Sequence, residues 1–267
     1  MTDSIFYRPT PEDINTFREK GYIVVPSLLA REETSLLEKI AKNDNSLRQE
    51  IRTKEDGQGG ITTLTVRNTA DDNTYYGAIS CSERIVVTMT AFLDGEAYAY
   101  HYKVNMKEPH GGGAWLWHQD HGYWQRDGLR PDMASVMIAI DKATLENGCL
   151  QVIPYSHTQW CRTLPHHEYT PNQLAVIKLT VDDARNEHDV VPVELNPGDG
   201  VFFHSRLLHT SAQNTSDKPR WVLITSYNRS DNFAAVENPR HPDPYQYSVV
   251  PDREVVPAGK KHLEILG

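Results

Sequence analysis

The stretch Trp115-Leu116-Trp117-His118-Gln119-Asp120-His121-Gly122-Tyr123-Trp124 is rich in side chains able to do chemistry. In extended backbone, residues two apart face the same side, so His118 and Asp120 point together and Gln119 turns away. An imidazole and a carboxylate so placed can share one metal ion. A second stretch, GDGVFFHSRLLHTS (residues 198–211), reads as a tight turn feeding a strand that ends in His209. The polar cluster 214–219 follows, and then a strand opening Arg220-Trp221-Val222. Read as one hairpin, this register sets Arg220 opposite His209 or Ser211, on the same face of a single sheet.

Two histidines and one carboxylate form the facial triad of non-haem Fe(II) oxygenases. Three protein ligands leave half of an octahedral ion open. A 2-oxo acid can take two positions through its keto and carboxylate oxygens, and dioxygen the last. The other carboxylate of such a cosubstrate needs a fixed cation, and the planar fork of Arg220 supplies one. A lone His-x-Asp is weak evidence for any of this. The weight lies in its combination with His209 and Arg220.

Other eye-catching residues have plainer readings. His121 points with Gln119, away from a metal. His204 lies five before His209 and faces the opposite side of its strand. His157 braces a loop, and His166, His167 and Glu168 read as a surface loop. Trp117 packs a sheet, Cys149 is a buried small hydrophobe, and Glu146-Asn147-Gly148 is turn chemistry.

The elements that must position these residues are mostly short strands. From about residue 96 the runs AYAYHYKVNM, SVMIAI, LQVIP, VVPVEL, GVFFHS and WVLITSY alternate with turns rich in Gly, Pro, Asn and Asp. Many strands at this spacing, with no βαβ alternation, predict a mainly β barrel or jelly roll. Before them come a helix opened by Thr10-Pro11-Glu12-Asp13 and closed at Gly21, a strand over 22–25, and a helix marked by Leu36, Leu37 and Ile40. Residues 43–60, polar and ending in glycines, read as a mobile loop. Residues 83–94 fit helix or strand equally well. The chain is expected to be one domain: a helical part over about 1–95, a jelly-roll core over about 96–230, and an irregular, proline-rich tail over 231–267.

The chain has 267 residues and a net charge of −9. That length buries a core without disulfides, and the acidic balance argues against nucleic-acid and membrane partners. Three cysteines with no CxxC pair suit a reducing compartment. With no spanning-length apolar run and no basic-then-apolar start, the expected location is cytoplasmic. Oligomeric state is not legible.

Several motifs, in order, resemble the phytanoyl-CoA dioxygenase family of Fe(II)/2-oxoglutarate oxygenases. They are FREKGYIVVPSLL (17–29), WHQDHGYW (117–124), ENGCLQVIPYSH (146–157), GDGVFFHSRLLHTSAQNTSDKPR (198–220) and the strand returning to Tyr227. The resemblance implies a double-stranded β-helix, a jelly roll with flanking α-helices. It implies that His118, Asp120 and His209 ligate iron, that Arg220 clamps 2-oxoglutarate, and that Ser211 supports it. By the same resemblance Trp124 lines the cosubstrate pocket, and Lys107 and Asn105 sit where relatives contact 2-oxoglutarate. His101 and Lys103 fall where relatives touch substrate. His101 departs from a glutamine usual in ectoine hydroxylases, which argues against ectoine.

The chemistry so implied is hydroxylation of a C–H bond coupled to 2-oxoglutarate and O2, releasing succinate and carbon dioxide. Asp120 argues against a halogenase, which needs a small residue there, and the full triad with Arg220 argues against a non-catalytic jelly roll. The absence of a basic run for CoA phosphates favours a small polar or zwitterionic substrate, in type an amino acid or aminophosphonate. Trp115 and Tyr123, with Trp124, offer cation–π faces for an ammonium, and His101 and Lys103 suit an anionic end.

Overall fold

A computed structural model describes residues 6–56, 60–67, 73–159, 171–234 and 248–267. Helix α1 (Pro11–Lys20) opens on a capping box in which Thr10 and Asp13 satisfy each other's backbone N–H groups. Gly21 closes it at φ 78°, in the left-handed region. Strand β1 (Tyr22–Val25) follows, then α2 (Arg31–Asn43), whose Leu36, Leu37 and Ile40 are buried.

Residues 43–60 depart from the loop expected of them. They hold α3 (Asn45–Gln49), capped by Asp44, and strand β2 (Arg52–Glu55); 57–59 lie outside the described residues. The strand is polar because it is the edge of its sheet, held by backbone pairing to β3 (Ile61–Arg67) rather than by apolar burial. Helices α4 (Tyr75–Ser80) and α5 (Glu83–Leu93) come next. Burial of Ile85, Met89 and Phe92 on one face settles the 83–94 segment as helix.

Strand β4 (Ala97–Lys107), β5 (Trp115–His118), the short helix α6 (His121–Trp124), β6 (Met133–Ala139) and β7 (Leu150–Val152) lead to α7 (Ser156–Gln159) and α8 (Pro171–Glu187). Strands β8 (Val191–Val193), β9 (Gly200–His204), β10 (His209–Ser211) and β11 (Arg220–Arg229) complete the β-structure. His166, His167 and Glu168 lie outside the described residues.

All strand pairs are antiparallel, in a seven-stranded sheet ordered β1-β9-β6-β11-β4-β3-β2 and a four-stranded sheet ordered β5-β10-β7-β8. The period of two along β11 divides its side chains. Trp221, Leu223 and Tyr227 join the core under the helices, and Val222 and Ile224 join the core between the sheets. On β4, Tyr102, Val104 and Met106 face the helices, leaving His101, Lys103 and Asn105 to face the cavity. A bulge at the β4–β11 ladder, between Ser226 and Tyr227, then switches the parity, so Ala97 and Ala99 also turn to the helical side.

The tail was expected to be irregular, but Asp252–Leu266 forms helix α9. The tail's other prolines precede the helix, and Pro257 is tolerated within it. Val255, Gly259 and His262 form its buried face, and His262 Nδ1 accepts a hydrogen bond from the Tyr75 backbone N–H at 2.9 Å. Arg84 ties this helix to the rest: it bonds Glu33 of α2 at 2.6 and 2.7 Å and Asp252 at 2.7 Å, all out of solvent. Among the described residues no helix is long and apolar enough to cross a membrane.

Candidate active site in the jelly-roll cavity

A cavity of about 350 Å3 lies between the two sheets. On its wall His118 ends β5 and His209 begins β10, directly opposite each other in one antiparallel ladder. Asp120 is not in extended backbone. It sits at φ −56°, ψ −36°, where the chain turns into α6, and still aims its carboxylate at both histidines. Its Oδ1 is 3.8 Å from His118 Nε2 and 3.8 Å from His209 Nε2.

Backbone carbonyls set the tautomers. His118 Nδ1 donates to Leu116 O at 2.6 Å and His209 Nδ1 to Leu207 O at 2.9 Å. A carbonyl only accepts, so each ring carries its proton on Nδ1 and turns the Nε2 lone pair inward. Burial, reinforced by the His209 ring, pushes His118 down to about 3, and burial lowers His209 as well. Burial alone would raise Asp120, but Lys103 and the neighbouring histidines outweigh it and hold the carboxyl below its usual range. Two neutral imidazoles and one carboxylate, buried and within 4.8 Å of one another, fit a divalent transition metal bound on one face. Ser135 donates to Asp120 Oδ2 at 3.4 Å and contacts Ser226 at 3.0 Å, a supporting layer behind the carboxylate.

Arg220 lines the same cavity, by a route other than the expected hairpin. Strand β10 belongs to the four-stranded sheet, and β11 to the seven-stranded one, so residues 212–219 cross between sheets. Arg220 pairs with Lys107 of β4, not with His209 or Ser211. Packing one sheet over the other restores the convergence that the hairpin register was meant to supply. Arg220 is fully desolvated and pushed down to about 10 by that burial. One Nη donates to Gly148 O at 2.8 Å, and its buried Nε has no protein acceptor.

Asn105, Ser211, Trp115, Tyr123, Trp124, His101 and Lys103 all line the cavity. The buried Oδ1 of Asn105 has no partner. Trp124 stands edge-on to His101 at 6.1 Å, and Tyr123 and Trp115 lie 6.4 and 6.2 Å from the His118 ring. Burial and then Lys103 push His101 down to about 3. Lys107 stands apart from the cavity lining. Its Nζ donates to the carbonyls of Ser211 and Ala212, and burial with Arg220 nearby lowers it to about 6.

Among the described residues, the plainer readings hold in space. His121 Nε2 meets Leu129 O at 3.0 Å, His157 Nε2 meets Arg18 O at 3.0 Å, and His204 packs against Phe17 and His157. Trp117 packs at the α8 cluster, Cys149 is fully buried, and Asn147 caps its turn by accepting from Thr144 N. Sequence reasoning missed Arg52, Thr53, Leu64 and Val66, the cavity wall supplied by the β2–β3 hairpin. The β-branched run of β3 was the available signal. It also missed Gly148, whose carbonyl holds Arg220 at φ 80°.

The fold is that of the EctD protein of S. alaskensis, solved with 2-oxoglutarate and 5-hydroxyectoine. The TM-score is 0.71 at 24% identity, covering 88% of this chain and 80% of that one. With the His–Asp–His donor set, this defines a double-stranded β-helix carrying a triad fit to hold a divalent transition metal. A profile of the phytanoyl-CoA dioxygenase (PhyH) family matches residues 17–222, and the chain belongs to that family. It is 35% identical over 164 residues to L-proline trans-4-hydroxylase of Streptomyces griseoviridis, covering 56% of this chain and 59% of that protein. It is 25% identical over 259 residues to ectoine dioxygenase of Stutzerimonas stutzeri, covering 89% and 84%. To 2-aminoethylphosphonate dioxygenase of an uncultured bacterium it is 31% identical over 149 residues, covering 56% and 52%.

Proposed function

We propose that this protein hydroxylates a C–H bond of a small polar or zwitterionic metabolite, in type an amino acid or aminophosphonate, with release of succinate and carbon dioxide. The observation that carries the substrate class is the cavity wall beside the triad. There Trp115, Tyr123 and Trp124 provide aromatic faces, and Lys103 and His101 provide polar groups, in a space of about 350 Å3. The relatives named for proline, ectoine and 2-aminoethylphosphonate support a small polar substrate.

In this reading His118, Asp120 and His209 hold Fe(II). Bound there with O2 and 2-oxoglutarate, the metal supplies the oxidative decarboxylation and the C–H oxidation. The protein's part is placement. Arg220 binds the distal carboxylate of 2-oxoglutarate, with its unpartnered Nε available as a second donor. Ser211 and Asn105 flank that position, both buried and facing the cavity. Gly148 O fixes the guanidinium plane from behind. Lys107 lies behind this site and anchors the β10 exit through the carbonyls of Ser211 and Ala212, a positioning rather than a contacting role. Arg220 pairs with Lys107, and Ile224, four residues on, pairs with Lys103, so about 13 Å of sheet separates the two cations. That span supports seating the cosubstrate at the Arg220 end and the substrate near Lys103. The aromatic walls exclude water and can stack an ammonium, worth roughly 0.5–2 kcal/mol.

The test is a succinate-release screen with Fe(II) and 2-oxoglutarate, comparing amino acids and aminophosphonates with acyl-CoAs, with products read by mass. Hydroxylated zwitterion in step with succinate is the expected result. Coupled turnover of acyl-CoAs alone would overturn the substrate class.

A further inference from the structure

Among the described residues, three cations line the cavity, Arg220, Lys103 and Arg52, against one carboxylate, Asp120. Asp120 faces the metal, and a bound dianionic cosubstrate offsets a divalent ion. Among these described lining residues the remaining balance is positive, and it favours a substrate bearing an anionic group.

Arg52 is the cation with no assigned task. It sits on β2, the edge strand of the large sheet, opposite Leu64, which in turn pairs with Asn105. Two strand spacings place it about 10 Å across the sheet from Asn105, at the rim of the cavity. The Arg52 side chain is exposed, and among the described residues it has no hydrogen-bond or ion-pair partner. The strand that carries it is nonetheless fixed. The buried carboxylate of Asp56, just past β2, accepts from Gly60 N, Ala114 N and Gln213 Nε2, each at 2.8 Å. Those bonds pin the hairpin to the start of β5 and to the crossing between sheets. A guanidinium on an anchored strand, over a cavity with a positive balance, is placed to select what enters.

We propose that Arg52 is a specificity-determining residue that pairs with an anionic group of the substrate, a carboxylate or phosphonate, held between it and Lys103. This deepens the zwitterion reading above and rests on it for the substrate's size and class. Guanidinium matches either oxyanion through paired N–H donors, so the two sources share one chemistry.

The experiment is equilibrium titration, without oxygen, of the Fe(II)- and 2-oxoglutarate-loaded protein with matched probes. They are L-proline beside L-prolinamide, and 2-aminoethylphosphonate beside ethanolamine. Wild type is expected to bind at least one anionic member at least tenfold more tightly than its neutral-ended partner. Arg52→Gln should erase most of that preference, leave the Kd of 2-oxoglutarate within twofold, and leave the amide or alcohol partner unaffected. Arg52→Lys should restore part of the preference. An unchanged preference in Arg52→Gln, equal weakening of both members of a pair, or no preference in wild type would each overturn the proposal. Binding needs no turnover, so a failed hydroxylation screen sinks the substrate class while these titrations still decide Arg52.

Discussion

His118 on β5 and His209 on β10 are direct cross-strand partners, with ring centroids 4.1 Å apart. The two imidazoles come from distant parts of the chain, and one backbone ladder sets their separation. The metal site is thus built into the sheet itself, and Asp120 is added by the turn that ends β5.

His118→Ala, Asp120→Ala and His209→Ala should each abolish coupled succinate release while far-ultraviolet circular dichroism stays unchanged. Losing an outer-layer partner alone costs about 10–100-fold in metal affinity, so loss of a ligand should cost at least about 100-fold in Fe(II) affinity. Metal titration of the three variants checks this, and wild-type affinity in any of them would refute the assigned triad.

Arg220→Ala should raise the KM for 2-oxoglutarate, since losing a charge-assisted bidentate contact costs about 2–4 kcal/mol. Gly148→Ala should do the same more weakly. Its φ of 80° strains an L-residue, and the added Cβ meets Ala212 O, displacing the carbonyl that holds Arg220. Steady-state kinetics with 2-oxoglutarate varied would show both effects. A rise confined to the KM of the primary substrate would count against the clamp.

His204 gives a pH signature away from the metal. Burial, then His157 and Arg206, push its pKa down to about 3 from an ordinary 6.5. Between those values the unfolded chain binds the proton and the folded one does not, so this contribution to stability falls as pH drops below 6.5. From pH 7.5 to 5.0, wild type should lose about 1–2 kcal/mol more stability than His204→Gln. Denaturant unfolding at the two pH values measures the difference, and equal losses would show that His204 is not the titrating group.

Arg84→Met should destabilise the fold by about 3–5 kcal/mol, because it leaves Glu33 and Asp252 as buried charges without their main partner. Adding Glu33→Gln to that variant should recover part of the loss. Chemical denaturation of the single and double variants tests this. An Arg84→Met protein as stable as wild type would show that the network contributes nothing net.

Much of the site was legible in the primary sequence because its signals are local. The pair His118 and Asp120, His209 and the opening of β11 at Arg220 lie within short segments, where residue type and spacing carry the information, although Asp120 reaches the histidines from a helical turn rather than by strand alternation. The same holds for the capping box at Thr10 and Asp13, the apolar stripe of α2, and the buried character of Cys149.

The rest depended on contacts that no local pattern encodes. A hairpin reading joins β10 to β11 in one sheet, since sequence neighbours usually pair. The fold instead separates them, and Arg220 reaches the cavity because one sheet packs over the other. Strand β2 is all polar and looked like a loop, because an edge strand is held by backbone hydrogen bonds that side-chain hydropathy does not report. Helix α9 was hidden by the proline count of its segment and stands on long-range contacts, His262 with Tyr75 and Asp252 with Arg84. Local chemistry named the His–Asp–His donor set; the stacking of two sheets, a property of the whole chain, brought Arg220, Lys103 and Arg52 to the same cavity.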